Sequence, residues 1–468
     1  MSVTAPRSLL QPTDLGGPEE ADRSGRKTSR LPVVAPVGGG LGFFLVMVYM
    51  FLDVVRPPFV GHVPKVLTIL ILFAWLAASS KKVPYQIVCM LLFVAEMFFD
   101  VPFSANTNKA FWCSYGMGVL VVSLCMPFVQ FVNSQARFQK AIWVLLSIYI
   151  VIGAWAATHN GFGPGGTDAA QDENYVATWM AMAIPIAAYG SFTSVGLMSK
   201  LRYLWPVPIF LLAVVFAQNA SRGGFIGIMC GLAYIVWYSK KRMMALAGVG
   251  IACVFVLMVA GAAFWDEMST IGDTDSGTAD HRKVLWTLAT RMYLGNPVTG
   301  VGPANFRWRI GDYETSEDIE KHGRSFSGSA VTHSLYFELL SDLGTVGLVL
   351  FLMIVVRCFR DMRDVRQAVE RVAARYRAGP MLQAGARQLT DQQLDWIKFW
   401  AHGLTASLIA CLVCSAFLST LYLTYFWLQA TLIASFKLIA DQMLLAESPA
   451  PVLDDDLSAG RRSSRIRL

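Results

Sequence analysis

The sequence predicts an all-α fold, a polytopic membrane helical bundle of about twelve transmembrane helices with one large loop on the outer side. The first observation behind this prediction is composition. The chain has 468 residues, of which 55% are hydrophobic and only 15% are charged, with a mean hydropathy of +0.48. A soluble domain carries about 25% charged residues. The second observation is the recurrence of apolar runs of roughly 16 to 24 residues, each long enough to cross a bilayer.

The apolar runs follow one another with short polar loops between them. The last two runs are nearly continuous, and we divide them at Ser419-Thr420 because one helix of that length would exceed the bilayer thickness. The twelve predicted spans are 33–55, 64–80, 83–103, 110–132, 140–157, 174–193, 203–219, 221–239, 243–265, 333–356, 397–418 and 420–442.

Basic residues are concentrated in alternate loops, which the positive-inside rule places in the cytoplasm. Both termini are then cytoplasmic, and the long loop before the tenth span faces the periplasm. The net charge of +7 therefore reflects orientation in a membrane and does not indicate nucleic-acid binding. The basic loops contain Lys81-Lys82, Arg137 with Lys140, Lys200 with Arg202, Lys240-Lys241-Arg242, the arginines of 357–377, and Arg461, Arg462, Arg465 and Arg467.

This topology divides the chain into segments of distinct character. The first 31 residues are rich in Pro, Gly, Ser and charge, which is typical of disorder. The segment after the tenth span is predicted to be an Arg-rich amphipathic helix that touches anionic headgroups. The segments are a disordered cytoplasmic tail (1–31), spans one to nine (32–265), a periplasmic loop (266–332), span ten (333–356), a cytoplasmic amphipathic loop (357–396), spans eleven and twelve (397–442) and a cytoplasmic tail (443–468).

The sequence does not predict a metal or cofactor site. Asp273-Thr274-Asp275 matches the D-x-D pattern of metal-dependent sugar transferases, but only by two residues in a loop. Zinc-ligand spacings and phosphate-binding glycine loops are absent from the sequence. The eight cysteines lie within or at the ends of apolar runs, so we expect no disulfide framework.

Arg222 is the first candidate for chemistry, because charges at the edge of a membrane span are usually functional. It lies at the outer start of the eighth span, against the positive-inside pattern, and Gly223-Gly224 follow it. A guanidinium binds phosphate in a planar, bidentate manner, and two glycines would let an anionic ligand approach the backbone. The alternative is an arginine that extends to the membrane interface.

Arg282 is the second candidate. A helix capped by Ser276, Thr278 or Asp280 is predicted to run to about Leu294, and Arg282 lies in its first turn, where free N–H groups favour anions. The alternative is an exposed salt bridge with Asp280. Apolar residues on one face predict that this helix lies along the membrane surface: Val284, Leu285, Leu288 and Met292.

His333 is the third candidate and stands at the outer mouth of the tenth span. An imidazole there can take a proton from a hydroxyl group near neutral pH. The alternative is an interfacial histidine with its hydrogen bonds satisfied. Glu338, in the same span, could orient a partner or pair with an arginine inside the bundle.

Four motifs in order resemble the bacterial O-antigen ligase and O-antigen polymerase superfamily over about residues 170–356. They are Ser221-Arg222-Gly223-Gly224, Arg282-x-x-x-Trp286, Gly300-x-Gly302-x-x-x-Phe306, and His333-Ser334-x-x-x-x-Glu338 followed by Gly344-x-x-Gly347. Many relatives have Asn where this chain has Ser334.

The resemblance implies a GT-C-like, metal-independent inverting glycosyltransferase of the bacterial inner membrane that uses no cofactor. Its donor would be a glycan linked to a polyprenyl diphosphate such as undecaprenyl diphosphate. The glycan would move to an acceptor hydroxyl at the periplasmic face, in polymerisation of exopolysaccharide or O-antigen. The alternative is a ligase that joins the glycan to the lipid A core. A flippase and a chain-length regulator would be partners.

The family's outward-facing arginines and histidine match Arg222, Arg282 and His333, which we therefore expect to be catalytic within the 266–332 loop and its flanking spans. Arg291, Arg307 and Arg309 are alternatives to Arg282 for contact with the diphosphate. The expected substrate-binding residues are Arg222, Arg282, Glu338, Arg307, Arg309 and Asn305.

Two other classes of function were weighed. Twelve spans suit a solute transporter, but carriers usually show repeat symmetry and midplane charges in broken helices. A non-enzymatic partner in a polysaccharide export complex would not need the arginines and histidine of the outer loop. Both classes are less consistent with the sequence than an enzyme.

Overall fold

The computed structural model describes residues 39–57, 61–159, 161–164, 173–192, 214, 221–239, 242–260, 265, 269, 277–322, 325–326, 330–377 and 389–445. Within these residues the regular elements are helices. The predicted tail 1–31, the predicted seventh span, the D-x-D sequence and nearly all of the tail 443–468 lie outside them.

Apolar helices make up most of the described chain. The apolar helices are α1 (Gly40–Val55), α2 (Val63–Leu76), α3 (Tyr85–Asp100), α4 (Thr107–Leu120), α5 (Met126–Phe131), α6 (Gln135–Thr158), α7 (Glu173–Phe192), α8 (Arg222–Tyr238), α9 (Arg242–Val259), α13 (Leu335–Arg377), α14 (Asp391–Cys414) and α15 (Thr424–Leu445). Between α9 and α13 lie three helices of the polar region: α10 (Gly277–Gly295), α11 (Phe306–Tyr313) and α12 (Ser316–His322). A π-helical turn, Val121–Cys125, joins α4 to α5.

The prediction of a helical membrane protein is confirmed. Among the described residues, six helical segments are long and apolar enough to cross a membrane: Tyr85–Phe103, Thr107–Phe131, Gln135–Thr158, Leu335–Arg377, Asp391–Phe417 and Thr424–Leu445. The shorter apolar helices α1, α2, α8 and α9 coincide with further predicted spans, and α7 coincides with the sixth. The total of twelve stays a prediction.

Helix α15 forms much of the core, because nearly all of its side chains are buried among neighbouring helices. Trp427 packs on Phe93 with ring centroids 4.9 Å apart, and Phe426 packs on Phe351 at 4.4 Å. Aromatic side chains of this size contribute a large part of the burial that holds a bundle together. Helix α3 ends, and helices α4, α13 and α15 begin, at the same end of the bundle. We call this end the rim. The charge pattern predicts that the rim faces the periplasm.

The predicted division of the last apolar run is confirmed. Helix α14 ends at Cys414, a short 3₁₀ turn follows, and α15 begins at Thr424. The connecting turn is held by hydrogen bonds from Thr420 Oγ1 to Ser415 Oγ (2.9 Å) and from Trp427 Nε1 to the Leu421 carbonyl (2.7 Å). This turn lies at the rim.

The tenth span and the amphipathic helix predicted to follow it at 357–396 are parts of one helix in the structure. Helix α13 continues to Arg377, because Cys358, Met362 and Val365 repeat at helical spacing and are buried. Gln86 Nε2 also donates to Asp361 Oδ2 at 2.6 Å. The predicted amphipathic segment is therefore, as far as residue 377, a continuation of the span.

The apolar stripe of α10, from which a position along the membrane surface was predicted, is buried within the protein. Leu285, Leu288 and Met292 are buried in a small separate core. Their partners include Phe306 and Ile310 of α11. The predicted loop thus supplies its own apolar surface, and α10 packs on α11 instead of lipid.

Candidate active site

A break in helix α13 builds the floor of the candidate site. Gly344 adopts φ 58° and ψ −150°, a conformation outside the helical region. A Cβ atom at this position would lie 2.5 Å from the Val298 carbonyl oxygen. Only glycine fits both constraints, which explains the Gly344 of the sequence motif.

The break exchanges hydrogen bonds between the helix and the segment 297–302. In an unbroken helix the Ser341 and Asp342 carbonyls would accept from the N–H groups four residues later. Here these two carbonyls, and the N–H groups of Thr345 and Val346, bond to the neighbouring segment instead. The four bonds are Val301 N–H to Ser341 O (2.8 Å), Gly302 N–H to Asp342 O (2.9 Å), Thr345 N–H to Pro297 O (2.9 Å) and Val346 N–H to Val298 O (3.1 Å). The 300–302 glycine motif is therefore locked onto the rim end of α13.

The carboxylate of Asp342 holds the rest of this motif. It is buried and accepts the backbone N–H groups of Ala304 (3.0 Å) and Phe306 (2.9 Å) and the hydroxyl of Tyr422 (3.0 Å). Ala304 has a left-handed φ of 54°, which this cradle stabilises. Asp342 is thus the anchor of the loop between α10 and α11.

Asn305 is fully buried in the same loop. Its Oδ1 accepts the Asn106 N–H at 2.7 Å, and its Nδ2 donates to the Pro303 carbonyl at 2.9 Å. The amide predicted to bind substrate is therefore occupied by contacts within the protein. We assign Asn305 to positioning the loop against α4.

His333 lies immediately before α13, which begins at Leu335. Its φ is 49°, in the left-handed region that non-glycine residues rarely adopt and that is common at functional sites. The flanking segment is fixed from two sides. Trp286 Nε1 of α10 donates to the Thr332 carbonyl (2.9 Å), and the Thr332 and Ser419 hydroxyls bond at 3.1 Å.

Arg282 lies one helical turn before Trp286 on α10. The hydrogen bond between Trp286 and Thr332 therefore places Arg282 near His333. Burial, followed by the positive charges of Arg282 and His281, lowers the pKa of His333 to about 4. The imidazole is consequently neutral at physiological pH. A neutral imidazole has a nitrogen lone pair that can accept a proton.

Arg222 is the first residue of α8, whose first turn is capped by Ser221 Oγ accepting the Gly224 N–H at 3.1 Å. Gly223 and Gly224 are both buried. A Cβ atom on Gly223 would lie 3.0 Å from Phe417, and one on Gly224 would lie 2.7 Å from Ala177. The expectation that these glycines expose backbone to a ligand is therefore wrong, because they allow close helix packing.

The structure thus brings the predicted catalytic residues to the rim by different routes. His333 and Arg282 are electrostatic neighbours. Arg222 begins a helix that packs on the same turn as the His333 segment, because Phe417 contacts the first turn of α8 and Ser419 bonds to Thr332.

The alternative arginines have partners within the polar region. Arg291 forms an ion pair with Asp318 at 2.5 Å and holds the pKa of that carboxyl well below its usual range. Arg309 Nε lies 2.7 Å from the Asp312 carboxylate. Arg307 stacks over the Trp308 ring with 5.0 Å from guanidinium to centroid. Arg291 also donates to the Tyr313 carbonyl at 3.1 Å and is therefore assigned to holding α10, α11 and α12 together, whereas the pair of Arg309 and Asp312 lies within α11.

Glu338 accepts the Leu421 N–H at 3.3 Å, so it contacts the turn that also supplies Tyr422. Asp342, Tyr422 and Thr332 were not among the site residues predicted from the sequence. Asp342 could have been found, because it is an acid in an apolar run one turn after Glu338 and therefore on the same helical face. Tyr422 and Thr332 carry no such signal, since their importance arises from contacts between segments distant in sequence.

Comparison with known families gives a match between residues 207–352 and the model of the O-antigen ligase family. The matched range contains Arg222, Arg282, His333 and Asp342. No curated protein matches the chain significantly. The family match supports the resemblance drawn from the sequence motifs, and with it a membrane-embedded enzyme of glycosyl transfer in surface polysaccharide biosynthesis.

Proposed function

We propose that this helical membrane protein, whose residues 207–352 match the O-antigen ligase family model, transfers a glycan from a polyprenyl diphosphate to an acceptor hydroxyl at the rim. The observation that carries the proposal is the placement of Arg282 beside a neutral His333 within the matched domain. A cation for the leaving group and a base for the nucleophile are the two elements that this reaction needs.

In the proposed reaction the acceptor oxygen forms a bond to the anomeric carbon while the bond from that carbon to the diphosphate oxygen breaks. Arg222 and Arg282 stabilise the negative charge that develops on the diphosphate. His333 takes the proton of the acceptor hydroxyl. Attack from the side opposite the leaving group inverts the configuration at the sugar carbon. No metal ion is required, because the guanidinium groups provide the positive charge.

The charge arrangement also couples base strength to donor binding. In the ligand-free protein the pKa of His333 is held at about 4 by burial and by the charge of Arg282, so the imidazole is a weak base. A bound diphosphate would offset the charge of Arg282 and add negative charge nearby. Both effects raise the pKa of His333 toward neutrality, where general base catalysis is most efficient.

Replacing His333 by Ala tests the proposal. We expect loss of glycan transfer in membranes that contain the lipid-linked donor, with protein levels unchanged. His159→Ala is a matched control, because His159 is exposed at the rim end of α6 and stacks on Trp155 with centroids 4.1 Å apart. Full transfer by the His333 variant would remove its role, and solute uptake without glycan transfer by the wild type would favour a transporter.

The proposed acceptor is another lipid-linked glycan, as in polymerisation, and the alternative acceptor is the lipid A core. A gel of surface glycans from a deletion strain separates them, since single-repeat products indicate a polymerase and undecorated core indicates a ligase. The proposed location is the inner membrane with both termini in the cytoplasm. A flippase that delivers the donor and a chain-length regulator are proposed partners.

A further inference from the structure

An exposed aromatic surface lies at the rim where α3 meets α4. The rings contact one another in sequence, for example Phe98 with Phe111 (centroids 6.1 Å apart) and Trp112 with Tyr115 (5.5 Å). We call this surface the aromatic edge. Its members are Phe98, Phe99, Phe103, Phe111, Trp112 and Tyr115, all of them exposed.

The aromatic edge adjoins the loop that builds the candidate site. Ser104, one residue beyond Phe103, packs so closely on Gly302 that no side chain fits there. Asn106 donates its N–H to Asn305 at 2.7 Å. A ligand seated on the edge would therefore reach the 300–306 loop without crossing another helix.

A cation stands between the edge and this loop. Lys109 is exposed in the first turn of α4, and the structure gives its ammonium group no hydrogen-bond acceptor among the described residues. A lysine at the rim departs from the positive-inside pattern, as Arg222 does. An ammonium group beside an apolar surface is complementary to an amphiphile with an anionic head.

We propose that the aromatic edge binds the isoprenoid chain of the donor while Lys109 contacts its diphosphate. This inference rests on the proposed function. Aromatic residues that only anchor a protein at the interface are distributed around the bundle. Exposed rings elsewhere at the rim are few, as with Trp155 and Phe162 beside α6 and Trp308 on α11, whereas six rings are concentrated on the α3–α4 hairpin. Continuity with the site loop and the adjacent cation favour a specific lipid over general anchoring.

The test compares two diphosphates with the same head and different tails. Full-length protein in nanodiscs would be titrated with undecaprenyl diphosphate and with geranyl diphosphate. The double variant Phe99→Ala/Phe103→Ala should lose about tenfold in affinity for the long-chain compound, since two large rings no longer contact it. Its affinity for the short-chain compound should stay unchanged. Lys109→Gln should weaken both compounds by the same factor.

A matched control removes two rings of equal exposure elsewhere. Phe44 and Phe73 are 61% and 67% exposed, against 64% and 71% for Phe99 and Phe103. Phe44→Ala/Phe73→Ala should bind both compounds as the wild type does. Equal loss in the two double variants, or loss for both tails in the α3 variant, would overturn the inference. Failure of the wild type to bind either compound would instead count against the proposed function.

Discussion

The most stringent prediction concerns Gly344→Ala, which tests whether the break in α13 builds the site. The protein can accommodate an alanine at this position in two ways. The alanine can keep φ near 58°, which costs about 1–3 kcal/mol for a non-glycine residue, with its Cβ only 2.5 Å from the Val298 oxygen. Alternatively, the helix can straighten and restore its own hydrogen bonds at Thr345 and Val346.

Straightening removes the carbonyl partners of Val301 and Gly302. Both residues are buried, so their N–H groups would gain no water, and each unsatisfied group costs about 1–3 kcal/mol. Pro297 and Val298 are exposed, and water can replace the donors that their carbonyls lose. The strained conformation therefore costs about 1–3 kcal/mol before its contact with Val298 is counted, and straightening costs about 2–6 kcal/mol for two unsatisfied groups, so about 2 kcal/mol lies in both ranges.

Hydrogen exchange measured by mass spectrometry on the purified full-length protein checks this value. At about 2 kcal/mol, amides of the 301–306 segment should exchange roughly thirtyfold faster than in the wild type. Gly116→Ala is the control, because a Cβ atom at Gly116 in α4 meets no other atom within 4 Å. Equal exchange in the two variants, with equal melting temperatures, would refute the account of the break.

Two further predictions concern titration. In the ligand-free protein His333 should titrate with a pKa of about 4, and inorganic pyrophosphate should raise this pKa. NMR of labelled histidine would measure the pKa with and without pyrophosphate. A pKa of about 6.5 in both conditions would contradict the effect of burial and of the Arg282 charge. Because the pKa of Asp318 is depressed by Arg291, the stability that this ion pair contributes should be present above about pH 4 and be lost as the pH falls further. Thermal melts of the wild type and Arg291→Ala between pH 3 and 7 would show a difference that is constant above about pH 4 and becomes smaller toward pH 3, and a difference that stays constant down to pH 3 would contradict the ion pair.

Apolar periodicity and length predicted the membrane helices well, since burial in lipid or among helices requires long uninterrupted runs. The division before Thr424 was predicted for the same reason. A helix after residue 356 was predicted, but its continuity with the tenth span was not, because the arginines that follow residue 356 indicate the end of a membrane crossing. Helical spacing of Cys358, Met362 and Val365 was the better indicator.

The candidate site was predicted residue by residue but not as an arrangement. Arg222, Arg282 and His333 stand out as polar residues at the edges of apolar runs. The roles of Gly224 and Asn305 could not be deduced, because each depends on a neighbour far along the chain, Ala177 and Asn106 respectively. Asp342 depends equally on the 304–306 backbone and on Tyr422.

The unbroken part of α13 has a mechanical consequence. From Thr345 to Arg377 the helix is continuous, and at about 1.5 Å per residue it is roughly 50 Å long. One end is bonded to the loop that frames the candidate site, and the other carries Arg375 and Arg377 at the opposite end of the bundle. A partner that tilts the arginine-bearing end would pull on the hydrogen bonds at Thr345 and Val346, so one continuous helix links the two ends of the bundle mechanically.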